Sequence, residues 1–163
     1  MPFNTIFPYT FINGVKFEES GTKIVYQPPI SPNYRVAFFR IGDKSGEDSP
    51  IRDKFGLEGK LCDLLVYFRD MTKNNYTLML VEAKGNDITK GVDQIENTYN
   101  CLVSQFKGNS DLKINWMAYI CYNKHSSPVD TKTPKKELKK RIGGGACDIK
   151  KEADISSILI QHG

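Results

Sequence analysis

A glutamate and a lysine two residues apart, Glu82 and Lys84, stand at the end of the apolar run Tyr76-Thr77-Leu78-Met79-Leu80-Val81. That run reads as a buried β-strand. Side chains alternate faces along a strand, so both charges emerge on one side. Charges at the edge of a core must be paired, hydrogen-bonded or metal-bound. An ordinary strand-end ion pair is one explanation. Another comes from upstream, where residues 61–68 form a second apolar run with Asp63 near its start. A polar turn over residues 69–75 joins the two runs, so they pair antiparallel. If Phe68 faces Thr77, Asp63 falls opposite Glu82, and facing residues share a sheet face. Their Cβ atoms then lie about 4.5–5.5 Å apart, near enough for two carboxylates to share a divalent ion. A slip of one residue would send Asp63 to the other face and dissolve the cluster.

Two carboxylates so placed repel, so one takes up a proton or both bind a cation. Mg²⁺ prefers carboxylate oxygens and keeps several of its waters. A metal-bound water is a stronger acid, and a neighbouring lysine can orient it or take its proton. The same ion offsets charge developing on a phosphate oxygen. Asp63, Glu82 and Lys84 together therefore suit phosphodiester hydrolysis.

The elements that must position these residues are legible in outline. The expected strands are residues 23–26, 34–41, 61–68, 76–84 and 113–122, the last with Ile114, Trp116, Ala118 and Ile120 on one face. Residues 88–106 carry Ile88, Val92, Ile95, Tyr99, Leu102, Val103 and Phe106 at spacings of three and four, the stripe of an amphipathic helix. A basic helix is expected over about 133–142, with Thr133 as N-cap, Pro134 at the first helical position and Gly143 as the stop. Pro50 begins at most a short helix towards Phe55, and residues 155–160 are strand or helix. The order predicts an α/β fold: a central mixed sheet with flanking helices in one domain over residues 1–163. Its centre is a strand-strand-helix-strand core from about 61 to 122.

Asp63, a hairpin, Glu82-Ala83-Lys84 and a long amphipathic helix resemble the PD-(D/E)xK nuclease superfamily, whose fold is restriction-endonuclease-like. The resemblance covers roughly the core and implies that Asp63 and Glu82 bind Mg²⁺ or Mn²⁺, with the Ala83 carbonyl as third ligand and Lys84 catalytic. Cys62 stands where the family name has proline. Some branches place a glutamine on the next helix in a Gln-x-x-x-Tyr motif. Gln94 matches it, although Tyr99 stands five residues on rather than four. An additional acid often comes from upstream; Glu58 is the nearest candidate, with Glu18, Glu19, Glu47 and Asp48 behind it. The implied activity is cleavage of nucleic acid, DNA before RNA, of a restriction, phage-defence or junction-resolving type. A homodimer with each subunit cutting one strand is one arrangement. The alternative is an inactive nuclease fold that binds nucleic acid or a protein.

Charge and composition bear on the partner. The formal net charge is +4, yet residues 132–151 alone hold eight basic and two acidic residues, so the basic surface is local. Lys135, Lys136, Lys139, Lys140 and Arg141, with Lys90, are the expected nucleic-acid contacts, suited to backbone rather than bases because no aromatics interleave them. A solvated helix face is the plainer explanation of the same run. Four cysteines without Cys-x-x-Cys spacing, and two histidines, argue against zinc and point to reduced thiols in the cytoplasm. No apolar run approaches the roughly 20 residues of a membrane helix. Trp116 is expected in packing, and His125 and His162 in a loop and at the chain end.

Overall fold

Strands that are apolar on both faces belong in the middle of a sheet, and the chain has three in close succession. A computed structural model describes residues 16–19, 22–26, 33–42, 50–84, 87–106, 113–122, 130–151 and 154–163. Its main sheet holds β3 (Tyr34–Arg40), β4 (Leu64–Asp70), β5 (Tyr76–Lys84), β6 (Ile114–Tyr122) and β7 (Ala146–Lys150), side by side in that order. β3, β4 and β5 pair antiparallel, whereas β6 and β7 join in parallel. The sheet is therefore mixed, as expected. A separate hairpin pairs β1 (Lys16–Glu19) with β2 (Thr22–Val25).

The alternation of side chains sorts the core into two layers. On one face Leu65, Tyr67, Leu78, Leu80, Ala118 and Ile120 pack with Ile88, Val92, Ile95, Leu102 and Phe106 of α2 (Ile88–Phe106). Ile51 of α1 (Pro50–Phe55) and Leu138 of α3 (Lys132–Arg141) complete that layer. On the other, Leu64, Val66, Phe68, Met79, Val81, Met117 and Tyr119 pack with Ile24, Tyr26 and with Ile158 and Leu159 of α4 (Ser156–His162). Trp116 is a packing residue, edge-on to Tyr99 at 5.2 Å between ring centres. Among the described residues no helix is long and apolar enough to cross a membrane.

Three local departures have physical causes. The strand bearing Asp63 begins at Leu64 and runs on to Asp70, because the amides of Cys62 and Asp63 are bonded to side chains instead of to a neighbouring strand. α3 begins at Lys132, not at Thr133: the Asp130 carboxylate accepts from the amides of Lys132 (2.9 Å) and Thr133 (3.5 Å). Pro134 is then the third helical residue instead of the first, still within the turn where no helical acceptor awaits its missing N–H. The helix does stop where Gly143 and Gly144 turn to φ 71° and 86°. Beyond that stop the chain enters β7 (Ala146–Lys150), an edge strand of five residues that the sequence does not mark because only Cys147 and Ile149 are deeply buried. Residues 156–160 resolve as the start of α4, and the amide of the preceding Ile155 is fixed to the Val25 carbonyl at 2.9 Å. His125, Glu47 and Asp48 lie outside the described residues.

Gly145 makes the entry to β7 possible, since a Cβ there would meet the Trp116 carbonyl oxygen at 2.0 Å. Backbone cannot retreat as a side chain tip can. Gly145→Ala is expected to lower unfolding stability by about 1–3 kcal/mol, the range for overpacking, measured by urea denaturation.

Candidate functional site

β4 and β5 pair so that Leu64 faces Val81 and Phe68 faces Thr77, the register that puts Asp63 opposite Glu82 one step beyond the ladder. The ladder ends there because the carboxylates take over its hydrogen bonds. The Asp63 amide donates to Glu82 Oε2 at 3.1 Å, and the Ala83 amide donates to Asp63 Oδ2 at 2.7 Å. Lys84 Nζ stands 2.7 Å from Glu82 Oε1. Both carboxylates are buried, Glu82 fully and Asp63 to within 2%, while the Lys84 side chain keeps 20% of its surface. Asp63, Glu82 and Lys84 thus converge under α2 on one face of the sheet.

Close backbone approach holds this packing. A Cβ on Gly91 of α2 would lie 3.2 Å from Lys84 Cγ and 3.5 Å from Glu82 Cγ. On the other side, a Cβ on Gly42 would lie 3.1 Å from Asp63 Oδ1. The amides of Ile41 and Gly42 both donate to the Asp63 carbonyl, at 2.9 and 3.1 Å, so the chain after β3 buttresses Asp63.

α2 also holds the loop that delivers Asp63. Gln94 Nε2 donates to the Leu61 carbonyl at 2.7 Å, and Asn97 Nδ2 to the carbonyls of Glu58 and Lys60, each at 3.1 Å. Thr98 Oγ1 accepts from the Cys62 amide at 2.9 Å and donates to the Gln94 carbonyl at 2.7 Å. Residues 94, 97 and 98 share one helix face, so a single polar stripe beside the apolar one pins the loop from Glu58 to Cys62. Gln94 is placed here as a positioning residue. Asn97 and Thr98 went unassigned in the sequence, where polar residues beside an apolar stripe read as an ordinary helix flank. Glu58 does not join the carboxylate pair: its side chain is exposed, and only its carbonyl is engaged by α2.

Two cavities flank the site. One of about 150 Å³ is bordered by Gly42, Arg52, Lys60, Asp63 and Gln94, and one of about 520 Å³ by Lys60, Lys84, Lys90, Asp93, Gln94 and Asn97. The basic residues expected to contact nucleic acid divide. Lys136, Lys139 and Lys140 are exposed. Lys135 pairs with Asp148 at 2.8 Å, and Lys90 with Asp87 at 2.8 Å. Arg141 is tied to Asp93 at 2.8 Å, to Glu96 at 2.5 Å and to Glu137, so it fastens α3 to α2. Its guanidinium is a joint between helices before it is a surface charge.

The donor set is two carboxylates with the Ala83 backbone beside them; no group of three or more His, Cys, Asp or Glu side chains arranged for a metal occurs among the described residues. This suits Mg²⁺, which keeps several waters and takes one or two carboxylates, better than a metal that needs a cage of protein ligands. The Cys62 thiol is no competitor for a soft metal. Burial pushes it well above the ordinary thiol range, with the Glu82 and Asp63 charges adding to that rise against the Thr98 hydrogen bond. Comparison with protein-family models, with curated proteins and with solved structures finds no match.

Thr98→Val keeps the side-chain shape but leaves the buried Cys62 amide without its acceptor. A loss of about 1–3 kcal/mol is expected in denaturant unfolding. In the native protein at pH 8, a thiol-disulfide reagent should spare Cys62 and Cys121, the latter pushed up to about 11 by burial, and modify the half-buried Cys101.

Proposed function

We propose that the chain is a metal-dependent nuclease of the PD-(D/E)xK type, hydrolysing phosphodiester bonds in nucleic acid, with DNA as the favoured substrate. The observation that carries this reading is the reciprocal pairing of Asp63 with the Glu82–Ala83 segment, with Lys84 on the same face. The sheet order supports it, since β5, α2 and β6 form a parallel crossover next to the β4–β5 hairpin. Asp63, Glu82 and the Ala83 carbonyl would hold Mg²⁺ or Mn²⁺, which when bound acidifies water and offsets charge on the phosphate. Lys84 then orients the attacking water and faces the phosphate from the open side. Asp63 is gripped by the Ala83 amide and by the backbone bonds from Ile41 and Gly42. Gln94, Asn97 and Thr98 keep the Asp63 loop from moving as substrate enters. The exposed Lys136, Lys139 and Lys140 supply sequence-independent attraction for a phosphate backbone. Four free cysteines fit a reducing cytoplasm.

A second reading is a nuclease-like fold without catalysis, favoured by one observation. The Lys84–Glu82 ion pair at 2.7 Å already satisfies both charges in the way a structural pair would. Calorimetric titration with Mg²⁺ separates the two, because only a metal site gives a binding heat that Glu82→Gln removes.

The direct test is nicking of supercoiled plasmid with Mg²⁺ and with Mn²⁺. Wild type should cut, EDTA should stop it, and Asp63→Asn and Lys84→Ala should each lose about 100-fold or more with unchanged far-UV circular dichroism. If wild type cuts no form of DNA or RNA with either ion, the nuclease reading fails.

A further inference from the structure

We propose that the 520 Å³ cavity is a subsite for a polynucleotide strand beside the bond being cut, with Lys60 and Lys90 binding its neighbouring phosphate. This rests on the proposed nuclease activity. The volume lies within the range of about 300–1,000 Å³ typical of small-ligand pockets, which is room for a nucleotide unit rather than a lone ion. Three lysines border it, Lys60, Lys84 and Lys90, against one carboxylate, Asp93. That carboxylate is matched by Arg141 at 2.8 Å, as Lys84 is by Glu82 and Lys90 by Asp87, so the charge of Lys60 leaves the wall net positive.

The cavity is continuous with the chemistry. Lys84 borders it while its ammonium sits on Glu82, and Lys60 and Gln94 border both this cavity and the smaller one that Asp63 adjoins. A strand crossing the carboxylate pair therefore has positive charge waiting on the Lys60 and Lys90 side. Lys60 is exposed, and it belongs to the loop that α2 pins by its backbone, which fixes its stem but leaves its ammonium to solvent. Lys90 meets Asp87 in an exposed bridge, 71% and 47% accessible, which a phosphate oxygen can replace at little cost. Gln94 and Asn97 also border the cavity, and their side-chain amide nitrogens donate to the loop that carries Lys60. The same helix carries Arg141's partners Asp93 and Glu96, so the basic α3 lies next to this wall.

The substrate class this implies is a strand with at least one phosphate beyond the scissile one. A labelled single-stranded oligonucleotide is titrated by fluorescence anisotropy across KCl concentrations, in Ca²⁺ buffer with the oligonucleotide checked for integrity. Each phosphate contact contributes about 0.7 to the slope of log affinity against log salt for a single strand. The Lys60→Ala/Lys90→Ala double variant should flatten the slope by about that amount and each single variant by part of it, Lys60→Arg should retain it, and in Mg²⁺ the alanine variants should raise KM for cleavage. Slopes and KM equal to wild type in variants that still cut would overturn the subsite and leave the nuclease reading standing. Wild type that neither binds nor cuts the strand would overturn both.

Discussion

Two buried carboxylates that accept backbone amides at the end of a β-ladder are the constraint on which the rest of the site depends. Glu82 takes the Asp63 amide and Asp63 takes the Ala83 amide, so each strand holds the acid of the other. Charge-assisted bonds of this kind are stronger than the neutral ladder bonds they replace. They also end the ladder at Leu64 and Val81, freeing the chain on the Asp63 side to leave the sheet as a loop. One pair of interactions therefore sets the strand boundary, the separation of the acids and the departure of the loop.

A loop released in this way must be caught elsewhere, and α2 catches it. The apolar stripe of that helix is committed to the sheet through Val92, Ile95 and Leu102. Its flank is turned to the loop through Gln94, Asn97 and Thr98. The helix lies close there, since a Cβ at position 91 would stand only 3.2 Å from Lys84 Cγ and 3.5 Å from Glu82 Cγ. The amides of Cys62, Asp63 and Ala83 each then have an acceptor, which a low-dielectric interior demands. Rigid acids are what a metal or a phosphate site needs, since misplacement of a donor by an ångström is costly.

Periodicity made the frame legible. α2 runs from Ile88 to Phe106 as its stripe predicts, and the pairing of β4 with β5 agrees with the length of the turn between them. Asp63 opposite Glu82 was legible for the same reason, because side-chain parity needs only a register. β7 was not, since an edge strand buries few side chains and its charges read as loop. Neither was the loop clamp, because hydrogen bonds from side chains to distant carbonyls leave no periodic mark in a sequence. Arg141 shows a related failure. Within a run of lysines it reads as one more surface cation, and only the docking of α3 on α2 reveals its three carboxylate partners.

Lys84 joins the two halves of the site. Its ammonium neutralises a fully buried glutamate, while its side chain forms part of the wall of the positive cavity. The acids are held by backbone and cannot move without disrupting the sheet end. The lysine is held by a flexible chain with a fifth of its surface open. An anion in the cavity and the carboxylate beneath it therefore compete for one cation. Any ligand that draws Lys84 outward leaves Glu82 more negative, and any cation that settles on Glu82 releases Lys84 towards the cavity. Charge at the buried pair and occupancy of the cavity are coupled through this residue, with no movement of the fold required.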